Sequence, residues 1–163
     1  MLLSEVFLPE FIKFGLVSTQ KQDLFREMVD HFMKAQGSHV DAGGESVSAM
    51  HDSILTALNE REKKMSTGIQ HGIAIPHGKT NAVDRVYGVI GVSEKGIEYD
   101  SLDGEPVHVV LMILAPPVQA ESHLLLLQNM AVVLRNPSFY DDVMRAKNAE
   151  EVFSILKQYE GHI

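Results

Sequence analysis

The stretch Val107-His108-Val109-Val110-Leu111-Met112-Ile113-Leu114 is apolar at every position but one and lies between Pro106 and Pro116-Pro117. Eight residues suit a strand, and an apolar run without alternation marks a strand buried on both faces. Such a strand needs helices above and below it. The chain therefore reads as α/β with this segment at the centre of a sheet. His108, the one polar residue in the run, reads as a core histidine with its hydrogen bond satisfied.

Upstream of this strand, Asp103-Gly104 is a turn signal. Before it, Ile97–Tyr99, Val86–Val92 and Ile73–Ile75 read as further strands. Downstream, Pro116-Pro117 breaks the chain. Glu121–Leu134 is apolar nearly all round, which predicts a buried helix. Asn136-Pro137 fits the cap and first position of another helix. Asn148 and Glu151 cap a last one, with Val152, Phe153, Ile155, Leu156 and Tyr159 facing inward.

Toward the N-terminus, Val47, Met50, Ile54, Leu55 and Leu58 mark an amphipathic helix ending near Arg61–Lys64, where basic residues suit the dipole. A glycine-rich loop around Gly43-Gly44 precedes it. Leu24, Phe25, Met28, Val29, Phe32 and Met33 recur at helical spacing until Gly37. Thr19 and Gln22 have capping-box spacing at that helix's start. An edge strand is predicted near Phe11–Leu16. The order is two helices, several strands, then three helices. This predicts a single domain, a small mixed β-sheet sandwiched between helices on both faces, over residues 11–160, with 1–10 as an N-terminal extension.

A chain of 163 residues suffices for one proper core. There are no cysteines, so disulfides, thiolate catalysis and cysteine-based zinc sites are excluded. Covalent chemistry must run through other side chains. The formal charge is −8 and there is no basic stripe, which argues against nucleic-acid binding. No apolar run approaches a membrane span, and the start, MLLSEVFLPEF, lacks a basic leader region. A cytoplasmic location is the expectation.

The chemistry concentrates in Gly72-Ile73-Ala74-Ile75-Pro76-His77-Gly78-Lys79. A short apolar strand meets a proline, which removes a donor and fixes φ. Gly78 permits a sharp turn and leaves the preceding imidazole open. His77 reads either as a turn residue or as a nucleophile held on a rigid strand end. His123 falls in the first turn of a helix, where unpaired N–H groups suit phosphate. It reads as an anion donor or as a structural histidine. Arg61 offers a fork for a phosphoryl group, or a solvated charge within Arg61-Glu62-Lys63-Lys64. Ser66-Thr67-Gly68 supplies hydroxyl donors or an ordinary loop.

Eight histidines raise the question of a metal. His71, His77, His108, His123 and Glu60 are candidate ligands if they converge, but there is no HExxH or close His-x-His pair. No G-x-S-x-G elbow and no Rossmann or Walker glycine pattern occurs.

Taken together, Arg61-Glu62-Lys63, Ser66-Thr67-Gly68-Ile69, Gly72–Lys79 and Ser122-His123-Leu124 resemble the type-2 Enzyme IIA family of the bacterial phosphoenolpyruvate-dependent sugar phosphotransferase system. This is the fructose/mannitol class, with the nitrogen-regulatory Enzyme IIA among its members. The resemblance covers roughly residues 11 to 157. It implies that His77 is the phosphorylated histidine, that His123 contacts the phosphoryl group and that Arg61 stabilises charge. Ser66, Thr67 and Gly78 would assist in binding it. The phosphoryl group would come from the carrier protein HPr and pass to a cysteine of an Enzyme IIB, with no metal or other cofactor. Phosphorylation on Nε2 is the family expectation. The same residues would serve a nitrogen-regulatory protein, whose phosphorylation state selects its protein partners. A metal-binding or hydrolytic protein is the distant alternative. No role is carried onto His71.

Overall fold

The computed structural model describes residues 1–37 and 47–161. The Gly43-Gly44 loop lies outside them. Five strands form one mixed sheet: β1 (Ile12–Phe14), β2 (Ile73–Ala74), β3 (His77–Lys79), β4 (Tyr87–Ile97) and β5 (Val107–Ala115). β1 runs parallel to β4, and β4 antiparallel to the central β5. β2 and β3 follow one another along the far side of β5, both parallel to it. His77 pairs with Ile113 there, at the sheet edge.

Six α-helices cover the sheet among the described residues. They are α1 (Leu3–Val6), α2 (Lys21–Gln36), α3 (Val47–Lys64), α4 (Ala120–Leu134), α5 (Pro137–Arg145) and α6 (Ala149–Glu160). β5 shows why both faces must be covered. Val109, Leu111 and Ile113 join one core with α1, α4, α5 and α6. Val110, Met112 and Leu114 join the other with α2 and α3. Successive side chains of a strand point to opposite faces, so an all-apolar strand supplies both. The predicted sandwich is the observed one.

Helix ends follow their signals in most places. Gly37 closes α2 at φ +74, a conformation that favours glycine. Asn136 Oδ1 accepts from the Ser138 N–H with Pro137 at the first turn, and Asn148 Oδ1 accepts from the Glu151 N–H. Three expectations are corrected. The capping box at Thr19 does not form: Gln20 is the cap residue of α2 and supplies no side-chain bond. Glu98 N–H donates to the Thr19 carbonyl, which holds that segment extended against the end of β4. Second, Ile97–Tyr99 is not a separate strand, because β4 continues through Ile97 past an irregularity after Val92. Third, α4 is not buried all round. Leu126, Met130 and Val133 face the core, whereas Leu124 and Leu125 are exposed.

The first ten residues are anchored at three positions, while Met1 and Leu2 are exposed. Leu3, Val6 and Phe7 are buried against the core of α4 and α6, and Glu160 accepts hydrogen bonds from the Ser4 N–H and hydroxyl. No helix among the described residues is long and apolar enough to cross a membrane.

Candidate active site

Pro76 interrupts the strand but does not end it. Its missing N–H separates β2 from β3, and its carbonyl still accepts from Ile113 N–H, so the ladder along β5 resumes at once. His77 is thus the first residue of a new edge strand. Gly78 serves a different purpose from the sharp turn expected of it. A Cβ there would stand 3.0 Å from the Ala57 carbonyl carbon and Cβ and 3.1 Å from Leu58 N. Only glycine lets β3 lie this close to α3.

That close approach brings the last turns of α3 and the first turns of α4 together over β3. Between them lies a cavity of about 650 Å³ lined by Ala57, Glu60, Arg61, Lys63, Lys64, His77, Gly78, Lys79, Ala120, His123, Leu124 and Leu127. The sequence-predicted His77, His123, Arg61 and Gly78 therefore share one site. Four cations, Arg61, Lys63, Lys64 and Lys79, meet here in a chain with a formal charge of −8. Such focusing favours an anionic group.

His77 Nδ1 lies 2.9 Å from the Ile75 carbonyl oxygen. A carbonyl only accepts, so Nδ1 carries the proton and Nε2 is left with its lone pair. Burial pushes the His77 pKa below the usual histidine value, the Ile75 bond opposes this, and the Arg61 charge adds to it. The ring is neutral at pH 7.

His123 is only 3% exposed, and neither ring nitrogen has a hydrogen-bond partner among the described residues. Its ring meets that of His77 at 5.4 Å between centroids and 82° between planes. Burial, then the charges of His77 and Lys79, push its pKa down to about 4. A neutral imidazole keeps one donor nitrogen, and here it is unspent. Arg61 donates from Nη1 to the Met65 carbonyl at 2.9 Å, which ties it to the residue just past α3 while it still lines the cavity.

Ser66 and Thr67 do not line the cavity. Ser66 Oγ accepts from Gly68 N–H at 3.2 Å. Thr67 is buried, and its hydroxyl lies 2.6 Å from Glu62 Oε1 and 2.7 Å from Tyr99 Oη. Its polar atoms are committed beneath the site, which corrects the expectation that it meets the phosphoryl group. The residue that sequence reasoning missed is Glu62, the partner of Thr67. It sits within the quoted Arg61-Glu62-Lys63 motif, but a charge at a helix end reads as solvated.

The metal candidates separate. Glu60, His77 and His123 line the first cavity, while His71 and His108 line a second near the start of β5. Among the described residues no three His, Asp or Glu side chains are placed to hold a metal ion. His108 is half-buried, with Nδ1 2.9 Å from the Ser93 carbonyl, as expected of a satisfied histidine.

The sandwich thus presents a neutral, tautomer-fixed histidine beside a second histidine and a cationic rim. The chain belongs to the EIIA 2 family of the phosphoenolpyruvate-dependent sugar phosphotransferase system, whose model matches residues 5–159. It is 32% identical over 160 residues to the fructose-specific EIIABC component of Bacillus subtilis, covering 98% of this chain but 24% of that protein. It is 26% identical to the nitrogen regulatory protein of Bradyrhizobium diazoefficiens, over 96% of this chain and 95% of that one. The crystal structure of the nitrogen regulatory protein IIA-Ntr from Neisseria meningitidis superposes with a TM-score of 0.81 at 28% identity, covering 94% and 98% of the two chains. The mannitol IIA of Escherichia coli shares the fold, with a TM-score of 0.68 at 21% identity over 90% of this chain and 96% of that one.

Proposed function

We propose that this chain is a cytoplasmic phosphohistidine carrier, accepting a phosphoryl group from phospho-HPr on His77 and passing it to a cysteine of an Enzyme IIB. The observation that carries the reading is the Nδ1–H bond from His77 to Ile75, which leaves Nε2 as the neutral nucleophile of a ring that meets His123 in a cationic cavity.

In the accepting step the Nε2 lone pair forms the bond to phosphorus while the bond to the donor nitrogen breaks, its pair staying on the donor ring. The proton stays on Nδ1, donated to the Ile75 carbonyl, so no proton has to move. Phosphoryl transfer asks mainly for in-line positioning and charge stabilisation. His123 supplies a hydrogen-bond donor and Arg61 a fixed cation. In the onward step a thiolate attacks phosphorus and the pair returns to Nε2. The apolar Leu124 and Leu125 beside the cavity suit carrier docking.

A nitrogen-regulatory role is the second reading, favoured by the near-complete coverage of the Bradyrhizobium relative. Under it, a phosphoryl group on His77 changes the charge of the rim and so the partners that bind it. Incubation with labelled phosphoenolpyruvate, Enzyme I and HPr tests the central reading. Acid-labile, alkali-stable label lost in His77→Ala supports it; an unlabelled wild type beside a competent HPr overturns it. Transfer of that label to a IIB domain then separates uptake from regulation.

A further inference from the structure

We infer that Glu62 is a positioning residue that holds the tautomer and orientation of His77 through Thr67 and Ile75. The inference rests on the reading of His77 as the phosphoryl acceptor.

Glu62 stands on the last turn of α3, next to Arg61, but its side chain turns inward and is 8% exposed. Oε2 accepts from Thr67 N–H at 2.8 Å and from Lys21 Nζ at 3.0 Å. Oε1 accepts from the Thr67 hydroxyl at 2.6 Å and from the Tyr99 hydroxyl at 3.4 Å. Lys21 in turn lies over the Tyr99 ring. Both main-chain and side-chain donors of Thr67 are thus fixed by one carboxylate.

From Thr67 the bonds lead to the nucleophile. Thr67 carbonyl accepts from Ile75 N–H at 2.9 Å, and Ile75 carbonyl accepts from His77 Nδ1–H at 2.9 Å. Ile75 belongs to neither β2 nor β3. The ladder along β5 therefore sets the backbone of His77 but not the direction of the Ile75 carbonyl. That direction depends on the segment 67–69 running back along 73–75, where Ile69 N–H also donates to the Ile73 carbonyl. The same segment is held from beneath by Glu62.

A buried ion pair is weak evidence for stability, because desolvation offsets much of its attraction. A carboxylate at this depth with hydrogen bonds to both ends of Thr67 has a clearer use in geometry. Without it the 67–69 segment relaxes, the Ile75 carbonyl turns, and the His77 proton distributes between both nitrogens. A ring protonated on Nε2 has no lone pair there for phosphorus.

Nitrogen-15 NMR of histidine-labelled, unphosphorylated protein reads the tautomer directly, and phosphoryl acceptance is measured on the same samples. Wild type should show His77 as the Nδ1–H form. Glu62→Ala should show a mixture and accept phosphoryl on the order of 10- to 100-fold more slowly. Thr67→Val, which keeps the fold if Glu62→Ala does not, should shift the same signal in part. Glu62→Gln should restore the wild-type tautomer, since an amide can accept from Thr67 N–H and donate to its hydroxyl. An unchanged tautomer in both Glu62→Ala and Thr67→Val overturns the inference, and so does a Glu62→Gln variant as disordered as Glu62→Ala. If the tautomer responds as expected but wild type takes no label, the positioning stands and the carrier reading falls.

Discussion

His77 and His123 face each other edge to face, and the structure keeps both rings neutral by withholding water from them. Lowered pKa values mean that protonation is resisted below the ordinary histidine range of about 6.5. Phosphoryl acceptance should therefore be level from about pH 6.5 upward and fall as acid protonates His77 at Nε2. Rates of label uptake between pH 4 and 8 check this. A rate that rises toward pH 5 would contradict a neutral nucleophile.

Replacing His123 should separate stability from transfer. Its two ring nitrogens are buried without partners among the described residues, and such groups cost about 1–3 kcal/mol each. His123→Leu removes them while filling comparable space. It should unfold at a higher urea concentration than wild type, by about 1 kcal/mol, yet accept phosphoryl more slowly. A destabilised His123→Leu would show that the ring has a structural partner.

Gly78→Ala should fail in both respects. The added Cβ meets the backbone of Ala57 and Leu58 on α3, neither of which is the far end of a flexible side chain. Separation of β3 from α3 should cost about 1–3 kcal/mol. Because Arg61 follows on the same helix, it should also widen the gap between Arg61 and His77. Urea unfolding with a parallel transfer assay checks both effects, and a variant of wild-type stability would refute the packing argument.

The central strand, the helices on both faces and the caps at Asn136 and Asn148 were legible because each has a local signature: continuous apolar character, 3.6-residue periodicity, or a capping pair. The meeting of His77, His123, Arg61 and Gly78 became legible only once a family resemblance linked distant segments. Thr67 was misread because nothing local distinguishes a loop hydroxyl turned toward a cavity from one turned toward a buried carboxylate. Whether residues 1–10 pack was not decidable from sequence, since Leu3, Val6 and Phe7 complete barely one turn. The overestimate for α4 has a physical source as well. Apolar residues on its outer side signal a buried helix or a contact surface, and only the tertiary arrangement separates the two.

The loop after β1 should give the protein an acid-sensitive clamp. Glu27 of α2 accepts from Val17 N–H, Ser18 N–H and the Ser18 hydroxyl, and pairs with Lys13 of β1 at 2.9 Å. Burial would raise its pKa, but these bonds outweigh it and hold the carboxyl at about 2. A folded pKa below the unfolded one favours the folded state above the ordinary glutamate value of about 4.3. That contribution declines as pH falls from there toward about 2. Glu27→Gln, which lacks the charge at every pH, should be less stable than wild type at pH 7 and draw level with it near pH 2. Urea unfolding of both proteins across that range measures the convergence. A gap that stayed constant with pH would mean that Glu27 acts through its shape alone and that the ion pair with Lys13 contributes nothing.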